Sequence, residues 1–126
     1  MFRDFKQKIN DLWWEIIEDD EMGLSIENSS IKSLQFEFKN PDFSVFLIRN
    51  AMANGVIVLS EYSGDVEIVI SMDSAVAHEF WQGRVNPAVA LIQGKMKARG
   101  PVHKALSLLP IIRPAFEIYQ EMIENG

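Results

Sequence analysis

His78, His103, Glu79 and a short basic cluster of Lys95, Lys97, Arg99 and Lys104 are the residues of this sequence whose chemistry stands out. Neither histidine has a His, Asp or Glu partner at a spacing that recurs in metal sites, and such a histidine is ordinarily structural. An enzyme would have only His78, Glu79 and His103 to work with. There is no Gly-x-Ser-x-Gly elbow, glycine-rich phosphate loop or dinucleotide fingerprint, and the glycines at 83, 94 and 100 sit where element ends alone explain them. The absence of cysteine removes disulfides, thiolate metal sites, iron–sulfur ligation and a thiol nucleophile. No catalytic group, metal or cofactor is therefore expected. The basic cluster could meet a lipid carboxylate or phosphate, or it could guard a strand edge, as lysines commonly do. The acidic run Glu18-Asp19-Asp20-Glu21 reads as solvated surface that opposes the negative end of a helix and so ends it.

The whole chain, 126 residues, fits one domain. A formal charge of -6 and a pI near 4.8 argue against any partner held mainly through phosphate neutralisation, nucleic acid above all. There is no basic leader with an apolar run behind it, and nowhere do about 18 apolar residues run together. The expectation is a soluble, cytoplasmic protein. The closing Ile-Glu-Asn-Gly is neither a peroxisomal address nor a prenylation signal.

The elements that would position these residues follow from periodicity. Phe2, Phe5, Ile9, Leu12, Trp13, Ile16 and Ile17 trace one face of an amphipathic helix within residues 1–21. Trp14 lies off that stripe, as a partly buried or dimer-facing indole or as a transient membrane contact. Met22 to Ser33 reads as a connection with a short extended piece at Leu24 to Ile26. Strands are expected at Leu34 to Lys39, Phe43 to Arg49, Val56 to about Ser60 and Val66 to Ile70. Turns at Asn40-Pro41-Asp42, Asn54-Gly55 and Ser63-Gly64-Asp65 would join them into an antiparallel meander. The second and third of these strands are apolar on both faces, so both faces should be covered.

A helix then spans Ala75 to Trp81, capped by Ser71, Asp73 or Ser74 and closed at Gly83. Asn86-Pro87 opens the next helix, which carries Ala88, Leu91 and Ile92 on one side and stops at Gly94. Lys95 to Arg99 makes a short strand, and Gly100-Pro101 turns into an apolar stripe that Pro110 and Pro114 break into two helices or one kinked one, the last spanning 111–124.

These residues resemble the sterol carrier protein 2 domain family. Asn86-Pro87, Gln93-Gly94-Lys95-Met96-Lys97 and Gly100 before an apolar helix match that family's order and spacing, and the likeness runs from about Leu34 to Leu109. Gly55-Val56-Ile57-Val58, the strand at Val66 to Ile70 and Trp81-Gln82-Gly83 add to it. The tryptophan-rich first helix, the proline-broken last helix and the lack of a peroxisomal tail depart from the sterol carriers proper.

The resemblance implies an α+β sandwich with a five-stranded, mainly antiparallel sheet. About five helices would cover it and enclose an apolar tunnel. A non-enzymatic carrier of a fatty acyl, acyl-CoA, sterol-like or isoprenoid chain is implied, with an accessory subunit that presents lipid or quinone intermediates to membrane enzymes as the alternative. On the sheet the expected walls are Phe46, Ile48, Val58, Ile68 and Met96. On the helices they are Phe80, Trp81, Leu91 and Ile92, and further along Leu106, Leu109, Ile112 and Phe116. The family's ligand-facing glutamine corresponds to Gln93, whose amide would either meet a headgroup or cap helix carbonyls. The expected partners are a lipid or fatty-acyl ligand and a second copy of the chain.

Overall fold

The computed structural model describes residues 4–50 and 55–125, in which five strands accompany seven helical segments. Helix α1 (Phe5–Glu18) buries Phe5, Ile9, Leu12, Trp13 and Ile16 along the face that periodicity marks; Phe2 and Asn54 fall outside the described residues. The acidic run ends α1, but Met22 to Ser33 is not an extended connection. A second helix, α2 (Asp20–Glu27), starts at once, because the Asp19 carboxylate accepts the backbone N–H groups of Glu21 and Met22 at 3.0 and 2.9 Å. Carboxylates that oppose the dipole at the end of α1 favour it at the start of α2, where Asp20 and Glu21 fill the first turn. Arg49 then ties the end of α2 to the sheet by donating to the carbonyls of Glu27, Ser29 and Ile31.

The strands are β1 (Ser33–Lys39), β2 (Phe43–Asn50), β3 (Gly55–Leu59), β4 (Ile68–Asp73) and β5 (Met96–Arg99), in the order β3-β2-β1-β4-β5. The first three form the expected meander. The fourth does not extend it: β4 lies parallel to β1, and Ser63-Gly64-Asp65 is no hairpin. Instead, residues 60–67 carry the chain past β2 and β1, with the Tyr62 ring 5.9 Å from Phe46. Ile68, Val69 and Ile70 are buried on both faces, as suits a strand flanked on either side, here by β1 and β5. Strand β5 pairs antiparallel with β4 and forms the second edge.

Strand alternation divides the sheet into two faces. Leu34, Phe36, Phe38, Val45, Leu47, Val56, Val58, Ile68, Ile70, Met72 and Met96 share one face, and the helices pack there. The other carries Gln35, Glu37, Ser44, Ser71, Lys97 and Arg99, with half-buried Ile48, Ile57 and Leu59 between them. Full cover of both faces of β2 and β3 is thus not met.

Helix α3 (Ser74–Trp81) is capped by Asp73, one of the three expected residues, whose carboxylate accepts from the N–H of Ala75. Helix α4 (Pro87–Gln93) matches its sequence signals: the Asn86 side chain accepts from Ala88 and Val89, Pro87 opens it, and Gly94 closes it at φ 78°. The prolines divide the remainder into three pieces, α5 (Val102–Leu106), α6 (Leu109–Ile112) and α7 (Ala115–Asn125).

Candidate functional site

Between the sheet and its helices lies a cavity of about 60 Å³ whose fifteen wall residues are all apolar. Two rungs of the sheet form its floor: Phe36 beside Ile70, and Phe38 beside Met72 and Met96. Trp13 enters from α1 and stacks on Phe36 at 5.1 Å, while Ala77, Phe80 and Trp81 come from α3. Pro87 contributes from α4; Ala105, Leu106, Leu108, Leu109 and Ile112 close the roof from the α5–α6 segment. Trp13 and Trp81 meet edge to face at 5.6 Å, and Phe116 of α7 backs this aromatic group, 5.5 Å from Phe80 and 5.9 Å from Trp81. Phe36, Pro87, Leu106 and Leu109 are half-buried, and the other eleven wall residues are buried.

Of the residues expected to line a tunnel, Phe80, Trp81, Met96, Leu106, Leu109 and Ile112 reach this cavity. Phe116 lies one layer behind. Val58 and Ile68 face the helices but share the neighbouring rung with Leu34 and Leu47, in the packed part of the core. Phe46 and Ile48 cannot reach it, since strand alternation turns them to the face without helices. On α4, Leu91 is half-buried, whereas Ile92 is 87 % exposed and Gln93 is exposed too. The side of α4 that meets the core is marked by Ala90, at 2 % exposure. Three of the wall residues missed had a signal: Phe36 and Phe38 alternate on β1, and Trp13 lies on the stripe of α1.

No titratable side chain lines the cavity. His103 is exposed on α5, and His78 Nδ1 lies 2.6 Å from the buried Tyr119 hydroxyl, tying α3 to α7. Burial pushes the Tyr119 phenol up to about 12. Lys104 is held by Glu67 at 2.7 Å; that hydrogen bond, with one from the Lys32 N–H, keeps the Glu67 carboxyl below its ordinary value. Among the described residues no group of three or more His, Asp or Glu could hold a metal ion. Nor is any helix among them long and apolar enough to cross a membrane.

The sequence model of the SCP-2 sterol transfer family matches residues 15–113. The chain belongs to this family. The match takes in the last turn of α1 and all of α2, further than the resemblance from Leu34 to Leu109 reaches. Solved structures of similar fold include sterol carrier protein 2 from Yarrowia lipolytica in its apo form, with a TM-score of 0.63 and 21% identity over 85% of this chain and 88% of that one. The sterol carrier protein domain 2 of Helicoverpa armigera gives 0.67 and 20% over 87% of each chain. A protein described as UbiJ-SCP2 ubiquinone synthesis protein gives 0.64 and 17% over 91% of this chain and 94% of that one. No curated protein matches the sequence. The α+β arrangement, with its five-stranded, mainly antiparallel sheet, is thus that of the SCP2 domain.

Proposed function

We propose that this SCP2 domain is a non-enzymatic carrier that holds one acyl or isoprenoid chain between the sheet and the α3–α6 wall. The observation that carries this reading is that every residue of the cavity wall is apolar, with no side-chain nucleophile, acid or base with which to do chemistry. Its volume, about 60 Å³, is well below the ~300–1,000 Å³ of small-molecule pockets, so binding must widen it. The roof is suited to that. Helices α5 and α6, of five and four residues, are too short to hold without packing, and Met72 and Met96 have the most adaptable side chains of the floor.

Recognition is by chain rather than headgroup. Each buried methylene contributes about 0.8 kcal/mol, so ~16 carbons could gain on the order of 12 kcal/mol. Association and the widening of the cavity bring this down to roughly micromolar affinity, with poor discrimination between chain lengths. Titration with a dibrominated stearate tests the reading, because bromine quenches an indole on contact and Trp13 and Trp81 are cavity walls. Saturable quenching is expected at micromolar ligand, reduced in Trp13→Phe and in Trp81→Phe and retained in Trp14→Phe. Quenching that never saturates, or that depends on Trp14 alone, would rule it out.

The fold shared with the UbiJ-SCP2 ubiquinone synthesis protein supports a second reading. Here the chain presents a prenylated quinone intermediate to membrane enzymes. A short-chain ubiquinone analogue that displaces the brominated acid at lower concentration than palmitate does would favour it over the acyl carrier.

A further inference from the structure

Residues 95–104 carry four of the twelve Lys and Arg and none of the eighteen Asp and Glu, in a chain of net charge -6. Lys104 is engaged with Glu67. Lys95, Lys97 and Arg99 are not engaged: all three are exposed, and among the described residues none pairs with a carboxylate. The stretch holds β5, the last strand on its side of the sheet.

Register puts two of these cations at the ends of rungs. On the helix-free face Ser44, Glu37, Ser71 and Lys97 lie side by side across β2, β1, β4 and β5, and Phe46, Gln35, Val69 and Arg99 form the next rung. Glu37 is two strands, roughly 10 Å, from Lys97 and accepts a hydrogen bond from Ser71 between them. Beyond Lys97 and Arg99 no strand follows. Among the described residues β4 alone supplies backbone hydrogen bonds to Met96–Arg99, so the outer N–H and C=O groups of β5 are open. The other face of β5 carries Met96, in the cavity floor, and Ala98, which is small and exposed.

We propose that the outer edge of β5 receives an extended segment of a partner protein, in which acidic residues alternate with apolar ones, as a sixth strand of the sheet. Charge complementarity selects this occupant. Successive acids of such a segment, two residues apart, meet Lys97 and Arg99 on the helix-free face, while the residues between them turn to the side of Ala98. A phosphate surface could meet the cations but leaves the open carbonyls to water, whereas another backbone satisfies both kinds of group. A second copy of the chain fits poorly. Pairing β5 with β5 sets cations against cations across the seam, and β3, the other edge, has no charged residue in Gly55–Leu59. The cations that guard this edge against unselected strands therefore choose the one that joins it. Lys97 and Arg99 are not cavity walls, so strand addition and chain binding can fail independently.

The test is fluorescence anisotropy of a labelled synthetic peptide alternating glutamate with valine, titrated with the full chain at low salt. Saturable binding is expected. Two cross-strand pairs of opposite charge are lost in Lys97→Gln/Arg99→Gln, which should bind on the order of ten-fold more weakly. Lys6→Gln/Lys39→Gln, exposed cations elsewhere, should bind nearly as the unaltered chain does. A strand bonds its neighbour through alternate residues, so N-methylation of one alternate set in the peptide should abolish binding and N-methylation of the other should be tolerated. All the protein variants are surface changes, and quenching by the brominated acid should be unaltered in each. No saturable binding, equal effects of the two N-methylations, or an equal loss in the control pair would overturn the proposal. So would equal binding of a peptide with its glutamates and valines in separate blocks. Displacement by polyphosphate at lower concentration than by unlabelled peptide would also overturn it, as the mark of a simple anion patch.

Discussion

Tyr119 is fully buried, yet its hydroxyl keeps a partner in His78 Nδ1 at 2.6 Å, which joins α7 to α3 behind the aromatic wall. Removing that hydroxyl in Tyr119→Phe should cost about 1 kcal/mol in denaturant titration, with little change in shape. The pH dependence is diagnostic. The folded chain holds this proton to about 12, whereas an unfolded tyrosine releases it near 10. Between those values the unfolded form binds fewer protons, so stability falls as pH rises from ~10 to ~12, and it is unaffected by this group below ~10. The fall should be smaller in Tyr119→Phe; equal falls in both proteins would exclude Tyr119 as the cause. At this scale the sequence is a partial guide. Residue type identifies His78 as structural, and Trp81, Leu109 and Ile112 as wall residues, but only register places Phe46 and Ile48 on the wrong face. Ile92 reads as core by hydropathy, and its exposure depends on which side of α4 meets β5.

Helix boundaries were legible wherever the signal is local. Asn86, Pro87 and Gly94 act as their types demand, and the expected β1, β2, β3 and β5 form. The α1–α2 corner and the placement of β4 were not, because each depends on a distant or competing partner. Asp19 could end one helix or begin another, and nothing local in Ile68 to Asp73 says that β1, thirty-odd residues earlier, offers it an edge. Gly23 holds a trace of the corner. A Cβ there would lie 2.1 Å from the Ile17 carbonyl oxygen, so α2 can fold back on α1 only with glycine at this position. Backbone cannot yield as a side chain would. Gly23→Ala should therefore destabilise the protein by about 3 kcal/mol, despite the better helix propensity of alanine, and should separate Met22 and Ile26 from the core. A chemical melt within a few tenths of wild type would show that the two helices do not need this approach.

For the molecule as a whole, the sheet with helices on one face follows from alternation, but the size of the cavity between them does not, since apolar walls describe a tunnel and a packed core equally well. The structure holds the roof close to the floor, leaving about 60 Å³, and ligand binding then becomes a difference between a closed core and an opened one. Two consequences can be separated by melting. Ligand at about 100 times Kd should stabilise the protein by roughly 2.7 kcal/mol, a Tm rise on the order of 10 °C for a chain of this size. Ala105→Leu directs three more carbons from the roof toward the floor. It should keep or raise the ligand-free Tm, because an apolar void is filled, yet abolish the ligand-dependent rise, because the space a chain would take is occupied. A variant that loses stability without ligand and still responds to it would mean that the chain binds elsewhere. One that keeps both stability and response would mean that the roof swings clear of the site, with the α5–α6 segment a lid rather than a wall.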